Sequence, residues 1–183
     1  MNQQQRKWLF LIILSLVWGS SYILIKKALL GFEPITLSAL RITTSAFLLL
    51  TFGFSSLKKI QKHQWKYIFY TAFLGTFFPV FLFSFAVEEI DSSIASILNS
   101  LTPFNTFFLG VVVFGFGFKK KQFIGILLGL IGTSILILKG ATMNPDQNYW
   151  FAVLPIIATF GYAMNVNMVK KHFWVLKKNL SKM

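Results

Sequence analysis

The stretch RKWLFLIILSLVWGSSYILIKK, residues 6–27, decides how the rest of the chain is read. Between Arg6-Lys7 and Lys26-Lys27 lies an uncharged, mostly apolar run from Trp8 to Ile25. About 20 such residues in a helix cross a hydrocarbon core of roughly 30 Å. A secretory signal peptide also opens on basic residues, but its apolar region is shorter. Here the run ends in lysines and further runs follow, which makes it a retained first membrane helix.

Working outward, the same pattern recurs from Ile35 to Phe54, Tyr67 to Val87, Ser93 to Phe118, Phe123 to Leu138 and Trp150 to Val169. The 183 residues are 55% hydrophobic and only 13% charged, and the charges cluster between the runs, so lipid rather than water is the expected solvent. Membrane β-strands would need segments of about ten alternating residues, which these continuous runs are not. The expected fold class is therefore an all-α membrane protein of six spans.

The formal charge of +13 raises nucleic-acid binding, but the cations flank apolar spans instead of lining one face, so no nucleic-acid partner is expected. With no cysteine, disulfides, thiolate metal sites and cysteine nucleophiles are excluded. His63 and His172 stand in basic segments without metal-ligand partners at suitable spacing. No Walker loop, nucleophile elbow or intramembrane carboxylate pair occurs, so neither enzyme activity nor a cofactor is expected.

Orientation follows from the loops, because Lys and Arg beside a span are kept in the cytoplasm. With the N-terminus inside, the cytoplasmic segments hold Arg6, Lys7, Lys58, Lys59, Lys62, Lys66, Lys119, Lys120, Lys121, Lys170, Lys171, Lys177, Lys178 and Lys182, fourteen of the eighteen cations. Lys26, Lys27 and Lys139 are the exceptions, Arg41 lies within the second span, and the five acids Glu33, Glu88, Glu89, Asp91 and Asp146 fall outside. No carboxylate for proton coupling stands inside a span. The expected location is the inner membrane, multi-pass, with the lipid bilayer as the first partner.

The first and sixth spans align without gaps at an offset of 144 residues: Ile12, Ile13, Ser15, Trp18, Gly19, Lys26 and Lys27 face Ile156, Ile157, Thr159, Tyr162, Ala163, Lys170 and Lys171. A unit of five spans starts on one side of the membrane and ends on the other, so a second copy inserts upside down. Secondary transporters commonly use such inverted repeats, with the site at mid-membrane between the halves.

The residues at this point resemble the EamA family of the drug/metabolite transporter superfamily. The resemblance is carried by Trp18-Gly19-Ser20-Ser21, by the stretch Pro34 to Arg41 (PITLSALR), by Ala95 through Leu101-Thr102-Pro103, and by Gln122 to Gly129 (QFIGILLG), in that order over residues 8 to 171. It implies ten helices in two inverted five-helix repeats around a cavity that carries small metabolites, usually outward. Residues 8–140 would then be the first repeat, 149–171 the first helix of a truncated second repeat, and 172–183 a cytoplasmic basic tail. Two departures stand out. Gly115-Phe116-Gly117 replaces the family's usual Gly-Glu-Arg before the fifth helix, and the sequence carries six of the ten helices.

In the fourth span Ser92, Ser96, Asn99, Thr102, Pro103, Thr106 and Gly110 fall within about 60° of one direction. Such a stripe faces protein or water, either as a cavity wall, with Asn99 and Thr102 donating and Pro103 loosening the backbone, or as helix packing. Asn105 lies off it and reads as a separate packing contact. Ser15, Gly19 and Tyr22 share a face of the first span with Trp18 at its edge, and Thr159, Ala163 and Asn167 repeat that arrangement beside Tyr162 in the sixth. These residues read as cavity wall or as packing. Arg41, roughly 10 Å below its helix end, is an anion anchor or a structural cation that snorkels. Gly125, Gly129 and Gly132 form a GxxxG-type surface suited to close helix contact. Candidate cavity residues are therefore Trp18, Gly19, Tyr22, Arg41, Asn99, Thr102, Pro103, Tyr162 and Asn167.

The expected function is alternating-access transport of a small-molecule metabolite, with a non-transporting membrane fragment as the alternative. The charge bias permits one orientation only, so two copies would insert parallel and could not readily rebuild an antiparallel pair of halves. The chain is accordingly expected to carry substrate poorly alone, its further partner being itself or a missing second half. A reporter enzyme fused after Lys121 is expected to read as cytoplasmic. A periplasmic signal there would overturn the topology.

Overall fold

A computed structural model describes residues 2–57, 60–138 and 146–174. Lys58, Lys59, Lys139, Lys177, Lys178 and Lys182 of the charge count, and most of the basic tail, lie outside the described residues. Among those residues every regular element is helical: α1 (Gln3–Ala28), α2 (Pro34–Leu57), α3 (Trp65–Ala72), α4 (Phe78–Glu89), α5 (Ser92–Asn99), α6 (Thr102–Val112), α7 (Lys120–Leu138) and α8 (Val153–Val169). Five continuous segments are long and apolar enough to cross a membrane, namely Gln3–Ala28, Pro34–Ser55, Lys62–Glu89, Ser92–Val112 and Tyr149–His172, and α7 adds a sixth helix where the fifth span is expected.

The distribution of polarity is inverted relative to a water-soluble bundle. Phe52, Leu30 and Trp150 are 89%, 88% and 83% exposed, while Ser38, Ser84, Asn105, Thr159 and Asn167 are buried. Lipid accepts the apolar exterior, and the interior uses small and hydroxyl side chains that let helices approach. Asn105 Nδ2 donates to Thr159 Oγ1 at 2.8 Å, and Asn167 Nδ2 donates to the Thr106 carbonyl at 2.9 Å, so two bonds tie α6 to α8. Ser38 Oγ reaches the Val80 carbonyl at 3.4 Å and ties α2 to α4.

The sixth span is the hub. α8 packs against α3, α4, α5 and α6, and a third of its segment is buried, 33% against 6% for the first span. Its close approach to the third span requires Gly161, where a Cβ would lie 2.7 Å from the Leu74 carbonyl oxygen. The apolar core of Ile25, Leu37, Phe83, Val87, Ile90, Ala95 and Ala158 lies mostly toward one end of the bundle. At that end Lys26 Nζ donates to the carbonyls of Val87 (2.6 Å), Glu88 (3.1 Å) and Ile90 (3.2 Å), a cation on the unsatisfied C-terminal carbonyls of α4. At the opposite end Tyr67 stacks on His172 at 3.9 Å and Lys170 Nζ sits 3.9 Å above the Phe116 ring. Successive spans therefore alternate in direction.

Two spans are not the plain helices that their periodicity suggests. Pro79 has no N–H for the carbonyl of Gly75, and the ladder slips there into a π-helical segment, Phe73–Phe77, closed by the Phe78 N–H on the Phe73 carbonyl. The fourth span breaks at Ser100-Leu101 and ends at Val112, short of the expected Phe118. Gly115 at φ +68° turns the chain so that the Phe116 N–H bonds the Gly110 carbonyl at 2.8 Å. Gly125, Gly129 and Gly132 have open space where a Cβ would project, so their expected helix contact is not made among the described residues.

Gly161→Ala is expected to lower stability in detergent by about 1–3 kcal/mol, because the neighbour it strikes is backbone and cannot rotate away. Gly125→Ala, in open space, is expected to be neutral or stabilising by up to about 1 kcal/mol. Thermal unfolding of the two variants reads the difference, and equal midpoints would remove the argument for close contact. A double-mutant cycle of Asn105→Leu with Thr159→Val is expected to return a coupling of about 0.6 to 1.7 kcal/mol.

Candidate functional site

The interruption of the fourth span is local chemistry. Pro103 cannot donate to the carbonyl of Asn99, and its ring crowds that carbonyl, so α5 closes early with tight bonds from Ser100 to Ile97 (2.8 Å) and Leu101 to Leu98 (3.2 Å). Thr102 Oγ1 then donates to Asn99 Oδ1 at 3.1 Å across the break. The π-helical segment of the third span faces the same region, with Asn165 of α8 seated on Gly75. Two helices thus give up regular hydrogen bonding at neighbouring points, an arrangement tolerated at membrane depth where the backbone is buried in protein or lines a cavity.

A cavity of about 590 Å³ occupies this region, within the size range of small-molecule sites. The first span contributes Trp18, Ser21, Tyr22 and Ile25, the second Arg41, the third Gly75, Val80 and Phe83, the fourth Asn99, Ser100, Thr102 and Pro103, and the sixth Tyr162, Asn165 and Val166. Phe83 lies between two tyrosines, its ring 5.7 Å edge-on from Tyr22 and 6.1 Å stacked on Tyr162. The Arg41 guanidinium is half-buried, and its Nη1 is enclosed without a hydrogen-bond partner.

Seven of the nine residues singled out from the sequence line this cavity: Trp18, Tyr22, Arg41, Asn99, Thr102, Pro103 and Tyr162. Trp18 stands at the rim, 65% exposed. Gly19 is exposed and has open space around it, so it does not line the cavity. Asn167 is buried in packing: its amide bonds the carbonyls of Thr106 and Ala163, and it occupies the space that a Cβ on Gly110 would take. Thr159 is likewise taken up by Asn105. Ser21, Ile25, Gly75, Val80, Phe83, Ser100, Asn165 and Val166 also line it and are not among the candidates from the sequence. The sequence signal that points to the region is the Gly75–Pro79 pair, a glycine four residues before a proline inside a span, while Val80 and Phe83 are apolar among apolar neighbours and carry none.

A second cavity of about 740 Å³ lies toward the opposite end from Lys26, and it shares Thr102, Pro103 and Val166 with the first. Lys119, Gln122 and Lys170 stand on its wall, together with Phe116, Gly110 and Asn167. The core around Ile25, Leu37, Val87, Ile90, Ala95 and Ala158 closes the Lys26 end above the first cavity.

The comparisons with known proteins agree with this architecture. The EamA-like transporter family matches residues 6–138. The chain is similar to a probable amino-acid metabolite efflux pump of Salmonella typhimurium, 32% identical over 156 residues that cover 83% of this chain and 49% of that one. It is 25% identical over 158 residues to an uncharacterized transporter in the trpA 3'region of Buchnera aphidicola, covering 85% of this chain and 52% of the other. Against the uncharacterized inner membrane transporter YedA of Escherichia coli K12 it is 24% identical over 163 residues, 84% of this chain and 49% of YedA. The chain spans about half the length of these curated relatives. No solved structure matches it significantly. With its multi-pass helical architecture and a match over most of its length, the chain belongs to the EamA-like transporter family.

Proposed function

We propose that the chain serves in the transport of a small metabolite across the inner membrane by alternating access, with its N-terminus in the cytoplasm. The observation that carries this reading is the cavity itself: Trp18 and Tyr162, related by the 144-residue offset, both stand on its wall. A site between corresponding helices of two inverted repeats is what alternating access needs, because rocking one repeat against the other then exposes it to each side in turn. Residues 8–140 act as the first repeat and 149–171 as the opening helix of the second. One relative's name, a probable amino-acid metabolite efflux pump, supports an exported substrate, and another's, an inner membrane transporter, supports the membrane.

The conformation supports a cytoplasm-facing state. The packed core closes the end that holds Lys26, and the second cavity continues from the first toward Lys119 and Lys170, the end that the lysine bias assigns to the cytoplasm. The break at Pro103 lies where the two cavities meet, and a helix already free of one backbone bond can bend there at little further cost.

The chain contains no cysteine, so single cysteines can be introduced without background. In sealed vesicles, Thr102→Cys is expected to react with a membrane-impermeant thiol reagent at least about tenfold faster than Phe52→Cys, because a thiolate forms only where water reaches it, from the Lys119 side in this chain alone and from both sides once a second half of inverted topology is supplied. Reaction from that one side only, with the second half present, would make the cavity a static crevice and end the alternating-access reading. Rates equal to that of Phe52→Cys would end the cavity's role altogether.

A further inference from the structure

The Arg41 guanidinium carries five N–H donors in a fixed fork, and it makes no hydrogen bond among the described residues. A half-buried cation with one nitrogen enclosed and without a partner is costly, and no side chain of the cavity supplies the missing charge: neither cavity has an aspartate or glutamate on its wall. The nearest substitutes are neutral hydroxyls and amides. Lys119 and Lys170 on the adjoining cavity add positive charge along the approach from that end, and focused charge of one sign raises the local concentration of ions of the other.

The remaining wall fits an apolar body. Trp18, Tyr22, Phe83 and Tyr162 present aromatic rings, and Asn99, whose carbonyl Pro103 cannot bond, lines the same cavity. One guanidinium matches one carboxylate in bidentate geometry, whereas a doubly charged phosphate would leave charge unmatched within the first cavity.

We propose that the cavity takes a carboxylate-bearing organic anion with an apolar or aromatic body, the carboxylate held by Arg41. This deepens the transport reading and rests on it. Arg41 is then a binding residue whose missing partner is the cargo.

The 183-residue chain, purified in non-ionic detergent, is titrated with three probes of matched body, phenylacetate, 2-phenylethanol and 2-phenylethylamine, and the unfolding midpoint is followed. Phenylacetate is expected to raise the midpoint saturably and to bind about tenfold or more tightly than the other two, the cost of losing a charged hydrogen bond. Arg41→Gln is expected to lose the response and Arg41→Lys to keep a weakened one. Equal or tighter binding of the alcohol or the amine overturns the anion assignment while leaving a binding cavity, and with it the transport reading. No response to any probe overturns the assignment of cargo class and leaves the transport reading to the accessibility of Thr102→Cys. A phenylacetate response that survives in Arg41→Gln, or in Ser21→Trp, which fills the cavity, overturns the assignment of the anion to this site. A midpoint raised by phosphatidylglycerol in an Arg41-dependent way, with no response to phenylacetate, assigns the cation to a lipid headgroup and overturns it as well. If Arg41→Gln fails to fold, the ranking of the three probes on the unaltered chain decides alone.

Discussion

A peptide group inside the hydrocarbon has no water to bond, so each N–H and C=O must find its partner within the protein. This constraint makes the spans helical, and it gives meaning to the two places where the ladder is given up. Pro79 and Pro103 each deprive a carbonyl four residues upstream of its donor, at Gly75 and at Asn99. Both carbonyl residues line the same cavity. The energetic expense of an irregular backbone is thus concentrated where a ligand would have use for exposed polar groups, and the rest of each span remains regular.

The cavity also depends on what holds the sixth span in place. α8 is fastened to α6 by Asn105–Thr159 and Asn167–Thr106, and it approaches the third span through Gly161. Individually such bonds contribute modestly in a membrane, because the separated helices also find partners for their polar groups. Collectively they fix the rotation of α8, and that rotation presents Tyr162 and Asn165 to the cavity while Thr159 and Asn167 are spent on packing.

The positions of the spans were legible because lipid imposes the same demand on every crossing, and Lys26-Lys27, Lys58-Lys59 and Lys119 to Lys121 mark their ends. The site was legible in part, for a physical reason. Arg41, Asn99, Thr102 and Tyr162 are conspicuous because polar and aromatic side chains inside a span must be accounted for. Whether such a residue faces a cavity or a neighbouring helix depends on packing partners that a single helix does not encode, and so Gly19 lines neither cavity and Asn167, bonded to Thr106 and Ala163, borders only the second. Phe83 and Val80 gave no sign, being apolar residues in an apolar run. The glycines of α7 look like a contact surface by spacing, yet a contact needs a second helix opposite, and the described residues provide none there.

The π-helical segment at Phe73–Phe77 carries one consequence for how this span can vary. Phe69, Phe73 and Phe77 form an exposed ladder before and through it, whereas Ser84, seven residues after Phe77 and on the same side of an unbroken α-helix, is fully buried. The wider winding has turned the later half by about a quarter turn relative to the earlier one. Deleting a single residue there would restore α-helical winding, save for the bond that Pro79 cannot make, and still be ruinous, swinging Phe83 and Ser84 toward the acyl chains. Length in this segment is therefore a phase setting, and indels that a surface loop would absorb are forbidden to it.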